Sequence, residues 1–401
     1  MVKDATPGLP ELATAVARTR IAGLVDVFLE RRAEVFWRLA GGHVLAREAL
    51  LREGTAVRRN HRLVSGDGLD RPVLAQLLGV TTRELPAFSA PAFPEPPRLQ
   101  DALPELPAGW SSVRWRWSWA AVLAEGNAVA LHRPEVAEIT FADGHRALTV
   151  WPPPAPREEP PVEHPPTQAR PGNARVLLAP AATAVLMHEL VGHPLEGDLL
   201  LRGASPWRGR QGERIVGLQL SVSDDPTRTD LPGGFSADDE GWAGKPRQLL
   251  AEGTLVGALA DTECAAALGV EPGNARRAGV HTRPRPRVSN LVATVADPLP
   301  HPPRNEASIE VVTLSSGTLE PASGAILLQV RTAFALRRGE RLRPLSPFTL
   351  VGSLPALRSG MLAAAQPTLP VAEPGWCAKE GEVVPTGAVA PWLLLSSLEV
   401  R

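Results

Sequence analysis

Residues 188 to 193 read His188-Glu189-Leu190-Val191-Gly192-His193, two imidazoles and a carboxylate directly after the apolar run Ala181–Met187. Neutral imidazole nitrogens are good ligands for a borderline-soft divalent metal. A Glu beside the first ligand is placed to take a proton from a water activated there. The chemistry this suggests is hydrolysis. The spacing is unusual, however. In the common zinc-protease helix the two His stand at i and i+4, about 40° apart around the axis; at i and i+5 they are about 140° apart. An undistorted helix cannot aim both rings at one ion. Either a π-bulge absorbs the extra residue, or the helix ends before the second His. Gly192 and Pro194 favour the second route, since Gly terminates helices and Pro cannot continue one. A helix is therefore expected over Ala181–Val191, with His193 swung back from its end. The plainer alternative is an amphipathic helix carrying a solvated His-Glu pair.

A third ligand has few sources among sulfur groups. Only Cys264 and Cys377 occur in 401 residues, too few for a disulfide framework. Cys264 lies in the helix-like segment Leu259–Leu268 and reads as a small buried thiol. Cys377 sits in Pro374-Gly375-Trp376-Cys377-Ala378-Lys379-Glu380-Gly381, which reads as a Gly-rich loop; Lys379 and a metal would both favour its thiolate. Two His and a Cys would make a three-ligand site with a fourth position open, as catalytic zinc requires. Composition by itself leaves open whether Cys377 is that ligand.

The elements that must position these groups suggest an α+β fold. Residues 1–150 form an N-terminal α+β unit: helices at Glu11–Ala22 and Arg71–Leu78, strand pieces within Val25–Leu39, a turn at Gly66-Asp67-Gly68, and a Pro-rich connector over Pro86–Pro107. Trp115, Trp117 and Trp119 alternate with polar residues as in a half-buried strand, a stripe better read as sheet core than as a ligand platform. Val136–Phe141 and Arg146–Val150 form a hairpin about Asp143-Gly144. Residues 151–172 form a Pro-rich linker, and residues 173–401 a strand-dominated antiparallel sheet or barrel carrying the motif. Its expected strands include Val216–Val222, a hairpin over Gln248–Val256, Ser308–Leu314, Ala325–Leu336, Leu342–Leu350 and Pro391–Val400, with a helix at Leu354–Ala365. A net charge of −1 gives no electrostatic footprint for nucleic acid. No apolar run reaches the roughly 20 residues that span a bilayer, and the first residues lack a signal-peptide core, so the expected location is cytoplasmic.

The second half resembles the TldD/PmbA family, in particular its metal-bearing TldD-type members. The resemblance rests on His188-Glu189-Leu190-Val191-Gly192-His193-Pro194-Leu195-Glu196-Gly197-Asp198, an HExxxH followed by Glu-Gly-Asp, and on Asp238-Asp239-Glu240-Gly241 with Gly253-Thr254-Leu255-Val256-Gly257. It continues in Gly273-Asn274-Ala275-Arg276-Arg277, Pro286-Arg287-Val288-Ser289-Asn290 and Gly375-Trp376-Cys377-Ala378-Lys379-Glu380-Gly381. The first half is shorter than in typical members and matches loosely. The resemblance implies a cytoplasmic zinc metalloprotease, one ion per chain, with His188, His193 and Cys377 as ligands and Glu189 as general base. It also implies unstructured peptide or protein substrates, and a PmbA/TldE-like partner subunit; a homodimer is equally open.

Around that core, Glu196 and Asp198 are candidates to orient the ligand imidazoles, or form a polar turn about Gly197. Arg277, Arg285 and Arg287 are candidates for meeting oxyanion charge or binding substrate, though Arg-rich loops are usually solvated. Asp238-Asp239-Glu240 reads as an acidic turn before it reads as cleft lining. Sheet edges in the second half offer an extended peptide a place to add as a strand. The rival from another class is a non-catalytic adaptor with a structural or vestigial metal site.

Overall fold

The computed structural model describes residues 6–60, 62–153, 165–366 and 375–401. Most of the expected linker, residues 154–164, and Pro374 of the Cys377 segment lie outside the described residues.

The first half is one seven-stranded sheet: β1 (Leu24–Ala40), β2 (His43–Arg59), β3 (Arg62–Asp67), β4 (Trp110–Ala124), β5 (Asn127–Leu131), β6 (Val136–Phe141) and β7 (Arg146–Val150), in the order β3-β2-β1-β4-β6-β7 with β5 beside β4. Helices α1 (Leu9–Arg18), α2 (Arg71–Leu78) and α3 (Leu99–Ala102) cover part of it. Strand alternation divides its side chains cleanly. Val27, Leu29, Val57, Ala121 and Leu123 pack with Leu12 and Leu74 of the helices. Their neighbours Phe28, Ala56, Ala120 and Val122 face the other way, onto Ala237 and Val280 of the second half. Burial on both faces explains why Val25–Leu39 showed apolar pieces without a clean period: it is one 17-residue strand. Trp115 and Trp119 are buried in this sheet. Gly66 and Asp67 end β3 and do not form the expected turn, which comes at Gly68 with φ +100°.

The second half contributes β8 (Gly172–Leu178), α4 (Pro180–Met187), α5 (Gly197–Arg202), β9 (Leu220–Asp224), β10 (Arg247–Ala251), β11 (Thr254–Leu255), α6 (Thr262–Leu268), β12 (Ala275–Arg276) and β13 (Arg285–Pro286). There follow β14 (Asn290–Val295), β15 (Ile309–Leu319), β16 (Ala325–Arg337), β17 (Glu340–Leu345), β18 (Phe348–Ser353), α7 (Leu354–Gly360), β19 (Met361–Ala365), β20 (Trp376–Lys379), β21 (Glu382–Pro385), β22 (Gly387–Val389) and β23 (Trp392–Val400). β15, β8, β23, β18 and β16 pair in that order, and β15 pairs with β16, which closes a barrel-like ring. A second sheet runs β11-β10-β9-β14-β22. Pairing is antiparallel except for β8 with β15 and β14 with β22. The strand-dominated α+β architecture is the expected one.

Three local expectations fail. Leu342–Leu350 is two strands, because Ser346 leaves the ladder to bond Thr167 and Pro347 has no N–H to return with. The helix at Leu354 stops at Gly360, and Met361–Ala365 pairs with β23. Val216 and Leu218 precede β9 and take no part in it.

Candidate metal centre

Helix α4 enters the core from β8 with Pro180 in its first turn, and Ala182 to Met187 are all buried. From His188 to Gly192 the helix widens into a π-turn, in which the His193 N–H bonds His188 O, and a 3-10 turn follows over His193–Leu195. The extra residue is thus absorbed within the helix, and termination before His193, the favoured expectation, is wrong. Pro194 has no N–H for the Leu190 carbonyl, and the Trp207 indole supplies one instead at 2.7 Å. Gly192 keeps a helical φ of −60°. Its role is close packing: a Cβ there would lie 2.9 Å from Val288 and 3.1 Å from Leu291.

The widened turn places the two imidazole rings 4.4 Å apart at 74°. Cys377 is brought from the far tail by β20, a hairpin strand with β21 and not the loop expected. Its Sγ lies 3.6 Å from His193 Nε2. One ligand atom each from His188, His193 and Cys377 falls within 4.8 Å of the others. Neither nitrogen of the buried His188 ring has a hydrogen-bond partner among the described residues. Burial, with His193 beside it, holds His188 well below its ordinary pKa, so its lone pair is free. A buried, neutral, unpartnered imidazole beside a second imidazole and a thiol is the environment a bound cation satisfies. Two nitrogens and a sulfur suit zinc.

Glu196 and Lys379 support this trio from behind. Glu196 is fully buried; Oε1 stands 3.2 Å from His193 Nδ1, and Oε2 accepts from Lys379 Nζ at 2.8 Å. Lys379 Nζ also donates to Asp198 Oδ1 at 2.6 Å. Burial works against the Glu196 charge, yet His193 and then Lys379 hold it at about 2. Burial likewise opposes protonation of His193, but Glu196 and the Cys377 sulfur lift it well above its ordinary value. Glu196 engages Nδ1, and both ring nitrogens lie near the sulfur, Nδ1 at 3.8 Å and Nε2 at 3.6 Å; a carboxylate contact of this kind fixes ring orientation. Sequence reasoning set Lys379 against Cys377; strand alternation puts both on the buried face of β20, but the ammonium goes to Glu196 and Asp198.

Arg277 and Arg287 are buried and not solvated as expected, whereas Arg285 is partly exposed. Arg287 is fully buried, with Nε 3.3 Å from Cys377 Sγ and Nη2 donating to Cys377 O. Arg277 is paired with Asp26 of the first half at 3.2 Å, and Arg285 with Glu380, so neither guanidinium is directed at the trio. Asp238-Asp239-Glu240 is a buried turn whose Asp239 meets Arg133 and whose Glu240 meets Arg58 at 2.5 Å, tying the halves together.

Glu189 looks into a cleft of ≈ 610 Å³ that also reaches His188 and His193. Its walls include Ser315–Gly317 of β15, Trp376, Arg331 and, from the first half, the Gly144–Arg146 turn. Burial, with Glu196 adding and His193 opposing, raises Glu189 to about 7. Gly317 makes room for it: a Cβ there would stand 2.8 Å from Glu189 Cγ. Trp207, Gly317 and Lys379's carboxylate contacts depend on long-range neighbours and left no local signal.

Residues 171–401 match the PmbA/TldA metallopeptidase C-terminal domain. The chain is similar to a metalloprotease TldD homolog of Haemophilus influenzae, 28% identical over 243 residues, covering 57% of this chain and 48% of that one. A metalloprotease of Methanothermobacter thermautotrophicus is 28% identical over 269 residues, covering 65% and 54%. The chain thus spans about half the length of the curated relatives it matches. In fold it resembles the crystal structure of TldE from Thermococcus kodakarensis, with a TM-score of 0.70 at 13% identity, over 98% of this chain and 99% of that one. No helix among the described residues is long and apolar enough to cross a membrane.

Proposed function

The chain belongs to the PmbA/TldD metallopeptidase family, and from that membership we propose that it is a TldD-type, zinc-dependent peptidase of unstructured peptides or protein segments. The observation that carries this reading is the convergence of His188, His193 and Cys377 beside Glu189 at the floor of an open cleft. A zinc ion held by the three residues would polarise the scissile carbonyl and make water nucleophilic near neutral pH. Glu189 is the general base: it takes the attacking water's proton and passes it to the leaving amine. A carboxyl near 7 can perform both transfers at physiological pH. Glu196 orients His193, Lys379 keeps Glu196 ionised, and Arg287 holds Cys377 by sulfur and carbonyl together.

Substrate binding follows from the sheet edge. β15 pairs with β8 only over Ile309–Val311, so beyond Val311 that edge has no strand partner among the described residues. Ser315–Gly317 then run past Glu189, and an extended peptide can add there by backbone hydrogen bonds. A PmbA/TldE-like subunit or a second copy is the proposed partner, and the cytoplasm the proposed location.

Glu189→Gln separates this reading from a structural or vestigial metal site. We expect one zinc per chain to be retained while cleavage of an unstructured reporter peptide falls at least about 100-fold, the scale of general acid–base catalysis. Unchanged cleavage by the variant, or absence of zinc from the wild type, refutes the peptidase assignment.

A further inference from the structure

Behind the β20–β21 hairpin, at the seam between the two halves, one small cavity is lined by Arg32, Arg116, Arg133, Arg276, Arg277 and Asp239. Four of the five guanidiniums have carboxylate partners. Arg32 meets Glu30 at 2.8 Å, Arg116 meets Glu34 at 2.9 Å, Arg277 meets Asp26 at 3.2 Å, and Arg133 meets Asp239. Arg58, farther out, meets both Glu240 and the same Asp26. Arg276 is the exception: Nη1 donates to Val288 O at 2.6 Å and Pro385 O at 2.7 Å, and no carboxylate among the described residues pairs with it. Carbonyls satisfy N–H groups without cancelling charge, so no ion pair neutralises Arg276 at hydrogen-bond distance, and Asp239 and Asp224 act on it only through space. Burial and the nearby Arg133 pull Arg276 down to about 10.

Donors are in excess. Nε of Arg277, whose side chain is 1% exposed, has no partner among the described residues, and neither has buried Nε of Arg32. Leaving such groups unpaired is costly. A volume of ≈ 40 Å³ exceeds the space of a single water and suits a group of a few heavy atoms. Planar guanidiniums with N–H groups to spare around one cavity are suited to recognise carboxylate or phosphate.

We propose that this seam cavity binds a small oxyanion, distinct from anything held in the cleft. The anion accepts from the unpaired N–H groups and joins Arg32, Arg116 and Arg133 of the first half to Arg276 and Arg277 of the second. Through the Arg276–Pro385 bond it braces the hairpin that carries Cys377. Arg116 stacks 5.1 Å from the ring of Trp376, whose residue also lines the cleft, so the two compartments share that wall.

The test is thermal unfolding of the full chain in inorganic phosphate, acetate and chloride at matched ionic strength. A saturable rise in midpoint is expected with at least one oxyanion, on the order of 5 °C at a hundred times half-saturation. Phosphate alone acting identifies a tetrahedral ligand; acetate acting as well identifies a carboxylate, such as a peptide terminus. Arg276→Met is expected to abolish the response. Should that buried substitution unfold the chain, Ser118→Asp serves instead, because half-buried Ser118 lines the same cavity and its replacement places a fixed carboxylate there. This variant should fold and lose the response. A rise that never saturates, or one equal in wild type and Ser118→Asp, is phosphate's general salting effect and overturns the proposal. So does the absence of any rise.

Discussion

Lys379→Met tests the support behind the candidate centre. In the wild type, Nζ stands 2.8 Å from Glu196, 2.6 Å from Asp198 and 3.3 Å from Pro286 O, on a side chain 6% exposed. Asp198 can turn to water and to Arg202 at 3.2 Å, but fully buried Glu196 cannot. Glu196 held at about 2 rather than its ordinary 4.5 corresponds to about 3 kcal/mol of preference for the ionised form. Lys379 supplies part of this and His193 the rest. Breaking a buried pair by deleting one partner costs about 3–5 kcal/mol, so denaturant unfolding of the metal-free variant should show a loss at the low end of that range. Loosening the carboxylate that orients His193 should also weaken zinc about 10–100-fold in competition with a chromophoric chelator. The double variant Lys379→Met/Glu196→Gln separates the two effects. Removing both charges should restore most of the stability, but not the zinc affinity, because the carboxylate orienting His193 is gone. A single variant that loses less than about 1 kcal/mol, or a double variant no more stable than the single, refutes the argument.

Gly317→Ala pushes a Cβ to 2.8 Å from Glu189 Cγ; a displacement on the order of 1 Å should lower kcat roughly 100-fold at unchanged zinc content, and equal loss of zinc would show general disruption instead. Asp224 gives the stability a pH dependence. Burial raises it to about 6 even though Ser289 and Asn274 donate to it. Below pH about 4 both folded and unfolded forms hold the proton, and between about 4 and 6 only the folded form does, so stability falls by about 3 kcal/mol as pH rises through that window. Urea titrations at stepped pH should show a steeper decline in the wild type than in Asp224→Asn, in which the raised carboxyls of Glu189 and Asp238 still contribute; equal slopes would refute the assignment.

What was legible in the sequence was what neighbours in the chain decide. The Glu252-Gly253 turn has φ of +47° and +89°, a tight hairpin that two residues suffice to specify. β6 and β7 fall at the expected residues for the same reason, and α2 begins at the expected Arg71, capped by Asp70. Expectation failed where the deciding partner is remote. Gly192 and Pro194 read locally as a helix end, yet the indole of Trp207 satisfies the carbonyl of Leu190, 17 residues before it, that Pro194 leaves bare. Cys377 read as loop because its hairpin is short and Gly-flanked; the same strand period that pairs it with Val384 also buries Lys379 beside it.

Charge explains the largest misreading. An arginine run such as Arg276-Arg277 is most cheaply solvated, and its neighbours in the chain give no sign of the carboxylate that meets Arg277. Asp26, 251 positions away, meets it because even-numbered side chains of β1 face the second half. The same alternation carries Glu30 to the Val280 N–H at 3.1 Å. A chain can bury this many charges only if both halves arrive with matched partners, since each unpaired ion costs several kcal/mol. The seam therefore selects one docking of the first half on the second. That docking brings the Gly144–Arg146 turn to the cleft, where Asp143 pairs with Arg331 of β16. The first half, although it carries none of the proposed metal ligands, thereby forms a wall of the space in which a peptide would lie.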